Sequence, residues 1–231
     1  MKQLTRMIPI IFLYLFSGSI FAQPRILAGL IDPDRVNLST RDFLTFYASN
    51  DPQEKENVLM YMLGVADATE GKTWCGYSRT DSAVLYQTAL AYLHQQSLTK
   101  PDVRASSLIE EAFIKNYACR GRETPVKLAP RPASVLSLTP DVLNLSGNDF
   151  SRFWISGNEL EKLRAGIYLL GVEDATERKF WCGYDLFKTV TLNELVYISV
   201  KNKTHDELNS RAAKIILEKF MNYPCDTGEK E

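Results

Sequence analysis

Apolar positions along the chain recur with a helical period, and strand-type alternation is scarce. Between Glu54 and Thr69, Val58, Tyr61, Met62 and Val65 return at three- and four-residue spacing, which gives a helix one apolar face. Upstream, Ser39 with Asp42 three residues on reads as a helix start, with Phe43, Phe46 and Tyr47 on its buried side. A third helix is predicted from about Asp81 to Gln96, with Leu85, Ala89, Tyr92 and Leu93 sharing a face. Pro101 begins a fourth, since proline suits the first helical turn, and Leu108, Ala112 and Phe113 supply its apolar side. Within the second helix, Gly64 lets another helix approach closely, at some cost in helix propensity. This half of the chain reads as a small all-α bundle of about four helices.

The pattern then starts again. "GVADATEGKTWCGY" (Gly64 to Tyr77) returns as "GVEDATERKFWCGY" (Gly171 to Tyr184), 107 residues later. At the same offset "VNLSTRDFLTFYAS" (Val36 to Ser49) matches "LNLSGNDFSRFWIS" (Leu143 to Ser156), and Arg104 and Glu111 match Arg211 and Glu218. After the loss of one residue, "NYAC" (Asn116 to Cys119) matches "NYPC" (Asn222 to Cys225). A match of this length marks a tandem duplication: all-α, with homologous helical modules at 34–120 and 141–226. Between them, residues 121–140 carry four prolines and a net charge of +2, and read as an extended, exposed linker.

The first 22 residues have the layout of a secretory signal peptide. Lys2 and Arg6 precede an apolar run from Ile8 to Phe16, and small residues lead to a cleavage site near Ala22. The run is too short to span a bilayer, and no later stretch is apolar enough to do so. The expectation is an exported, periplasmic protein. Without the leader the chain has 25 basic and 28 acidic residues, a net of about −3, which does not recommend nucleic acid or anionic lipid as a partner.

Export gives the four cysteines their meaning, because an even count in an oxidising compartment reads as disulfides. Four cysteines allow three pairings. A module that once stood alone had to close on itself, which selects Cys75 with Cys119 and Cys182 with Cys225. Each bridge closes roughly 45 residues and contributes on the order of 4 kcal/mol in the chain-entropy model. Neither a C-x-x-C redox pair nor a zinc cluster is present, and His94 and His205 occupy unrelated places in their modules. No metal or cofactor is expected.

Asp67 and Asp174 are the first candidates for catalysis, with Glu70 and Glu177 three residues on as second carboxylates. Both aspartates sit where a helix ends, and the favoured role is to tie down backbone N–H groups of the following loop. With Gly64, Gly171, Trp74 and Trp181 they form the structural hub of each module. Two unmatched histidines cannot complete a nucleophilic triad, and there is no phosphate-binding glycine loop, so no enzyme is expected. Sequons at Asn37, Asn144 and Asn202 are formal glycosylation matches, and "NLS" at the first two has a helix-capping explanation.

A helix reading "YMLGVADAT" or "YLLGVEDAT", then "WC", an apolar helix, a last helix and "NYPC" resembles the Rap/Tai family of bacterial immunity proteins. The resemblance covers both modules. It implies small exported helical proteins, often dimeric and disulfide-bonded, that protect a cell from a peptidoglycan amidase delivered by type VI secretion. They do so by binding the toxin in the periplasm and blocking its active site. The implied partners are a cognate toxin effector and either a second copy (a homodimer) or the other module (an intramolecular pseudo-dimer). Toxin contact is expected in the polar and aromatic loops, at Glu70, Lys72 and Tyr77 or Glu177, Lys179 and Tyr184. The competing expectation is a small disulfide-bonded acid-stress chaperone of the same compartment.

Overall fold

A computed structural model describes residues 31–119 and 137–225. The expected signal peptide and residues 121–136 of the linker lie outside the described residues. Among them the regular structure is helical, and the order repeats. The first module contains α1 (Thr40–Tyr47), α2 (Pro52–Thr69), α3 (Ser82–Ser97) and α4 (Ala105–Asn116). The second contains α5 (Gly147–Trp154), α6 (Glu159–Thr176), α7 (Thr189–Lys201), α8 (His205–Leu208) and α9 (Ala212–Phe220). Both disulfides are formed, Cys75–Cys119 and Cys182–Cys225.

The helix starts follow local chemistry. Ser39 and Ser146 accept hydrogen bonds from the N–H groups of Asp42 and Asp149, so serine rather than asparagine of "NLS" is the cap. Asp51 caps α2 ahead of Pro52, and Asn158 caps α6. The fourth helix starts later than Pro101, at Ala105. Pro101 to Val103 form a turn and bend, and Arg104 makes an isolated bridge with Ser39 before the helix begins. In the second module Leu208 replaces the proline, and Thr204 with Glu207 forms a capping box, which allows the extra turn α8. At the other end α9 stops at Phe220, ahead of Pro224, whereas α4 runs on to Asn116.

The two modules pack into one core. Buried side chains from Ile31 to Phe220 form a continuous cluster, with Trp74, Trp181, Tyr61 and Tyr168 among the largest fully buried. Its axis is the pair α2 and α6, lying side by side and parallel, since contacts between them hold a nearly constant sequence offset. Glu56 pairs with Arg164, Gly64 lies against Tyr168, Gly171 and Val172, and Gly171 lies against Tyr61. A Cβ on Gly64 would stand 2.1 Å from the Tyr168 carbonyl oxygen, and one on Gly171 would stand 2.1 Å from that of Tyr61. Glycine at both positions is what permits this crossing. Each module's opening segment also reaches across. Leu138 is fully buried, Tyr86 donates to the Pro140 carbonyl, and Thr189 and Asn193 donate to Asp34.

Candidate functional site

The repeated phrase places its chemistry at the C-terminal ends of α2 and α6, where the modules meet. Asp67 lies one turn beyond Gly64, and its carboxylate crosses to the other module. It accepts from the backbone N–H groups of Asn144 and Leu145, both at 2.8 Å, and from the Tyr168 hydroxyl at 2.9 Å. The Tyr77 hydroxyl, from its own module, donates at 2.5 Å. Asp174 repeats the arrangement with Asn37 (2.8 Å), Leu38 (2.9 Å), Tyr61 (2.8 Å) and Tyr184 (2.8 Å). The sequence reading expected these aspartates to tie the loop that follows them. They tie the segment opening the opposite module, because the parallel pair brings that segment to the helix ends.

An arginine locks each clasp from the start of the opposite module's last helix. Arg211 donates to the carbonyl oxygens of Asp67 (3.1 Å) and Glu70 (3.0 Å), to the Glu70 carboxylate (2.8 Å) and to the Asn144 side chain. Arg104 donates to the Asp174 carbonyl (3.0 Å), the Glu177 carboxylate (2.9 Å) and the Asn37 side chain. Each guanidinium also lies over a ring, Tyr77 for Arg211 and Tyr184 for Arg104. Asn37 and Asn144 sit at φ 62° and 63°, a left-handed conformation that asparagine tolerates and that turns two successive N–H groups onto one carboxylate.

Burial pushes Asp67 and Asp174 above the usual carboxyl range, opposed by Arg211 and the Tyr77 hydroxyl at Asp67 and by donated hydrogen bonds at Asp174. It also holds Tyr61, Tyr77, Tyr168 and Tyr184 well above 10, so the phenols stay protonated and donate. One carboxyl breaks the symmetry. Glu173, where the first module has Ala66, is fully buried, and neither of its oxygens has a hydrogen-bond partner. Burial first, then the Asp174 and Asp34 charges, raises its pKa well above 4.5.

The residues expected to face a toxin therefore divide. Glu70 and Glu177, 5% and 3% exposed, are spent on Arg211 and Arg104, and Tyr77 and Tyr184 on Asp67 and Asp174. Lys72 and Lys179 lie at exposed loop tips; Lys72 sits over the Phe180 ring at 4.9 Å, and Lys179 pairs with Glu110. Trp74 and Trp181 are core, each donating its indole N–H to a threonine at the end of the preceding helix. Chemically the junction is a double clasp. Each aspartate already accepts four hydrogen bonds, and the neighbouring glutamates hold arginines. No group of three or more His, Cys, Asp or Glu among the described residues is placed to hold a metal ion.

Residues 39–119 match the family model of Rap1a immunity proteins. Over this span the first module is similar to Rap1a immunity proteins. The match begins at the Ser39 cap and ends at Cys119, so the family unit coincides with one structural repeat. Members of such a family protect against a secreted toxin and imply a toxin partner; they are generally non-enzymatic. No curated protein matches the chain. Among the described residues no helix is long and apolar enough to cross a membrane.

The sequence reading missed Arg104, Arg211, Tyr61, Tyr168, Asn37 and Asn144 as parts of the junction. All are identical between the repeats, and that was the available signal. A charged residue kept in both copies beside a kept aspartate had more to do than solvate a helix face.

Proposed function

We propose that the protein is a periplasmic immunity factor that neutralises a cell-envelope toxin, of the peptidoglycan amidase class delivered by type VI secretion, by covering its active site. The observation that carries this reading is the match of residues 39–119 to Rap1a immunity proteins. The second module is taken as a further copy of the same unit, and the chain as a covalent pseudo-dimer: its parallel helix pair and reciprocal clasps have the form of a two-fold interface between like subunits. Toxin contact is assigned to the loop tips around Lys72 and Lys179, with Thr73 and Phe180. These tips are adjacent at one end of the parallel pair and differ between the copies. Glu70, Tyr77, Glu177 and Tyr184 then act from behind, fixing the loops.

The test is affinity capture of the oxidised, tagged mature protein from its host at neutral pH, with captured proteins identified by mass spectrometry. A near-stoichiometric partner that is lethal in the periplasm without this protein supports the reading. A broad client set that grows as pH falls supports an acid-stress chaperone instead.

A further inference from the structure

The second module carries a surface that the first lacks. On α7, Val190, Glu194, Tyr197, Ile198 and Lys201 fall within roughly 100° of arc at 100° per residue, opposite the buried Leu192, Val196 and Val200. All five are exposed, Val190 by 65%. Beside them a cleft of about 140 Å³ opens between α5 and α7, lined by Ser151, Trp154, Ile155, Tyr197, Val200 and Lys201. At the matching positions of α3 the first module has Ala83, Gln87, Leu90, Ala91 and His94, and there Leu90 is buried. At these positions exposed large apolar side chains and the charge pair are confined to one copy.

The order of those side chains selects the occupant. In "ELVYISVK" (Glu194 to Lys201) an acid and a base lie two turns apart, with an aromatic and a branched aliphatic residue midway. Two such helices laid antiparallel about a two-fold axis through the midpoint place each Glu194 opposite the other copy's Lys201. Tyr197 then meets Ile198 at the centre. That is a self-complementary, isologous pattern. Neither Glu194 nor Lys201 has an ion-pair partner among the described residues; Lys201 lies 5.7 Å over its own Tyr197 ring.

We propose that the outer face of α7 is a homodimer interface, joining a second copy of this chain through an antiparallel α7–α7 contact flanked by two Glu194–Lys201 pairs. The cleft beside Tyr197 widens the apolar area available to the second copy. Because each chain offers one such face, the assembly closes at two copies and does not polymerise. A single helix face is a small interface, so the dimer is concentration-dependent. The α2–α6 pair already joins the two modules inside the chain. The α7 contact is a separate one, and it does not depend on the toxin's identity.

Sedimentation velocity of the oxidised mature protein over a concentration series tests this. The expected result is a reversible monomer–dimer equilibrium. Glu194→Lys or Lys201→Glu alone sets like charges opposite each other at both ends and weakens association about tenfold or more. The double variant Glu194→Lys/Lys201→Glu restores the pairs with their signs exchanged and recovers association. Both positions are exposed, so helicity by circular dichroism stays unchanged in each variant. A wild-type protein that remains monomeric throughout overturns the proposal. So does a double variant as weak as the singles, which is the outcome if α7 instead serves a different protein partner.

Discussion

Substituting Gly64 by alanine gives opposite signs depending on whether α2 and α6 touch. On an isolated or exposed helix, Gly→Ala stabilises by about 1 kcal/mol, because alanine loses less backbone freedom on folding. At this crossing the added Cβ would stand 2.1 Å from the Tyr168 carbonyl oxygen and 3.0 Å from the Val172 nitrogen, both backbone atoms. The helices must separate, and overpacking of this kind costs about 1–3 kcal/mol or more. Separation also draws Asp67 and Asp174 away from the opposite module, adding weakened hydrogen bonds to the cost. The expected net is a loss of about 2 kcal/mol or more, read from urea unfolding followed by tryptophan fluorescence. Gly171→Ala behaves the same way, and the double variant costs less than the sum, since one separation relieves both clashes. Gly157 has nothing within 4 Å of its Cβ position and is the internal control, near neutral or slightly stabilising on change to alanine. A rise in stability for Gly64→Ala would refute the close crossing.

Further outcomes follow from the clasps, the buried acid and the bridges. Asp67→Ala strands two buried backbone N–H groups and a buried tyrosine hydroxyl and leaves Arg211 without its strongest opposing charge; it should cost about 3–5 kcal/mol, and Asp174→Ala a similar amount. Equal stability of either variant and wild type in denaturant titrations would count against the clasp. Glu173 has a folded-state pKa raised above its unfolded value, so its contribution is fully present below about 4.5 and is lost as pH rises through the folded value. Wild-type stability should therefore fall more steeply above pH 4.5 than that of Glu173→Gln, which keeps only the slope of Asp67 and Asp174; parallel pH–stability curves would show that Glu173 does not titrate between the two states. Replacing Cys182 and Cys225 by serine, which opens a link spanning 43 residues, should cost about 4 kcal/mol, measured as a shift in denaturation midpoint. A shift well below 1 kcal/mol would mean that the unfolded chain is already restrained.

What could be read in advance was local, and what could not was the pairing of distant segments. Helix positions, caps and the disulfides rest on neighbours in the chain or on the repeat itself: Ser39 with Asp42, Asp51 before Pro52, one bridge per copy. Gly64 announced a close helix approach, but α6 as the partner required contacts 107 residues apart. The aspartates were recognisable as helix-end residues that bind backbone N–H groups. Their targets, Asn144 with Leu145 and Asn37 with Leu38, lie in the other copy. Glu70 and Tyr77 looked like loop residues open to a partner because polar and aromatic loop positions normally are. They are covered by Arg211, which comes from 141 residues away and leaves no trace in local composition. The last three residues of the proline-rich stretch illustrate the same point. Leu138 to Pro140 read as linker, yet Leu138 is fully buried and matches Ile31 at the repeat offset, so the second module's opening segment begins inside that stretch.

The duplicated halves make one body, with a shared core and reciprocal aspartate clasps. Differential scanning calorimetry of the oxidised protein is the decisive measurement. A single transition is expected, with its calorimetric enthalpy equal to its van't Hoff enthalpy and the whole shifted down by Asp67→Ala. Two separable transitions, with only one displaced by that substitution, would contradict it.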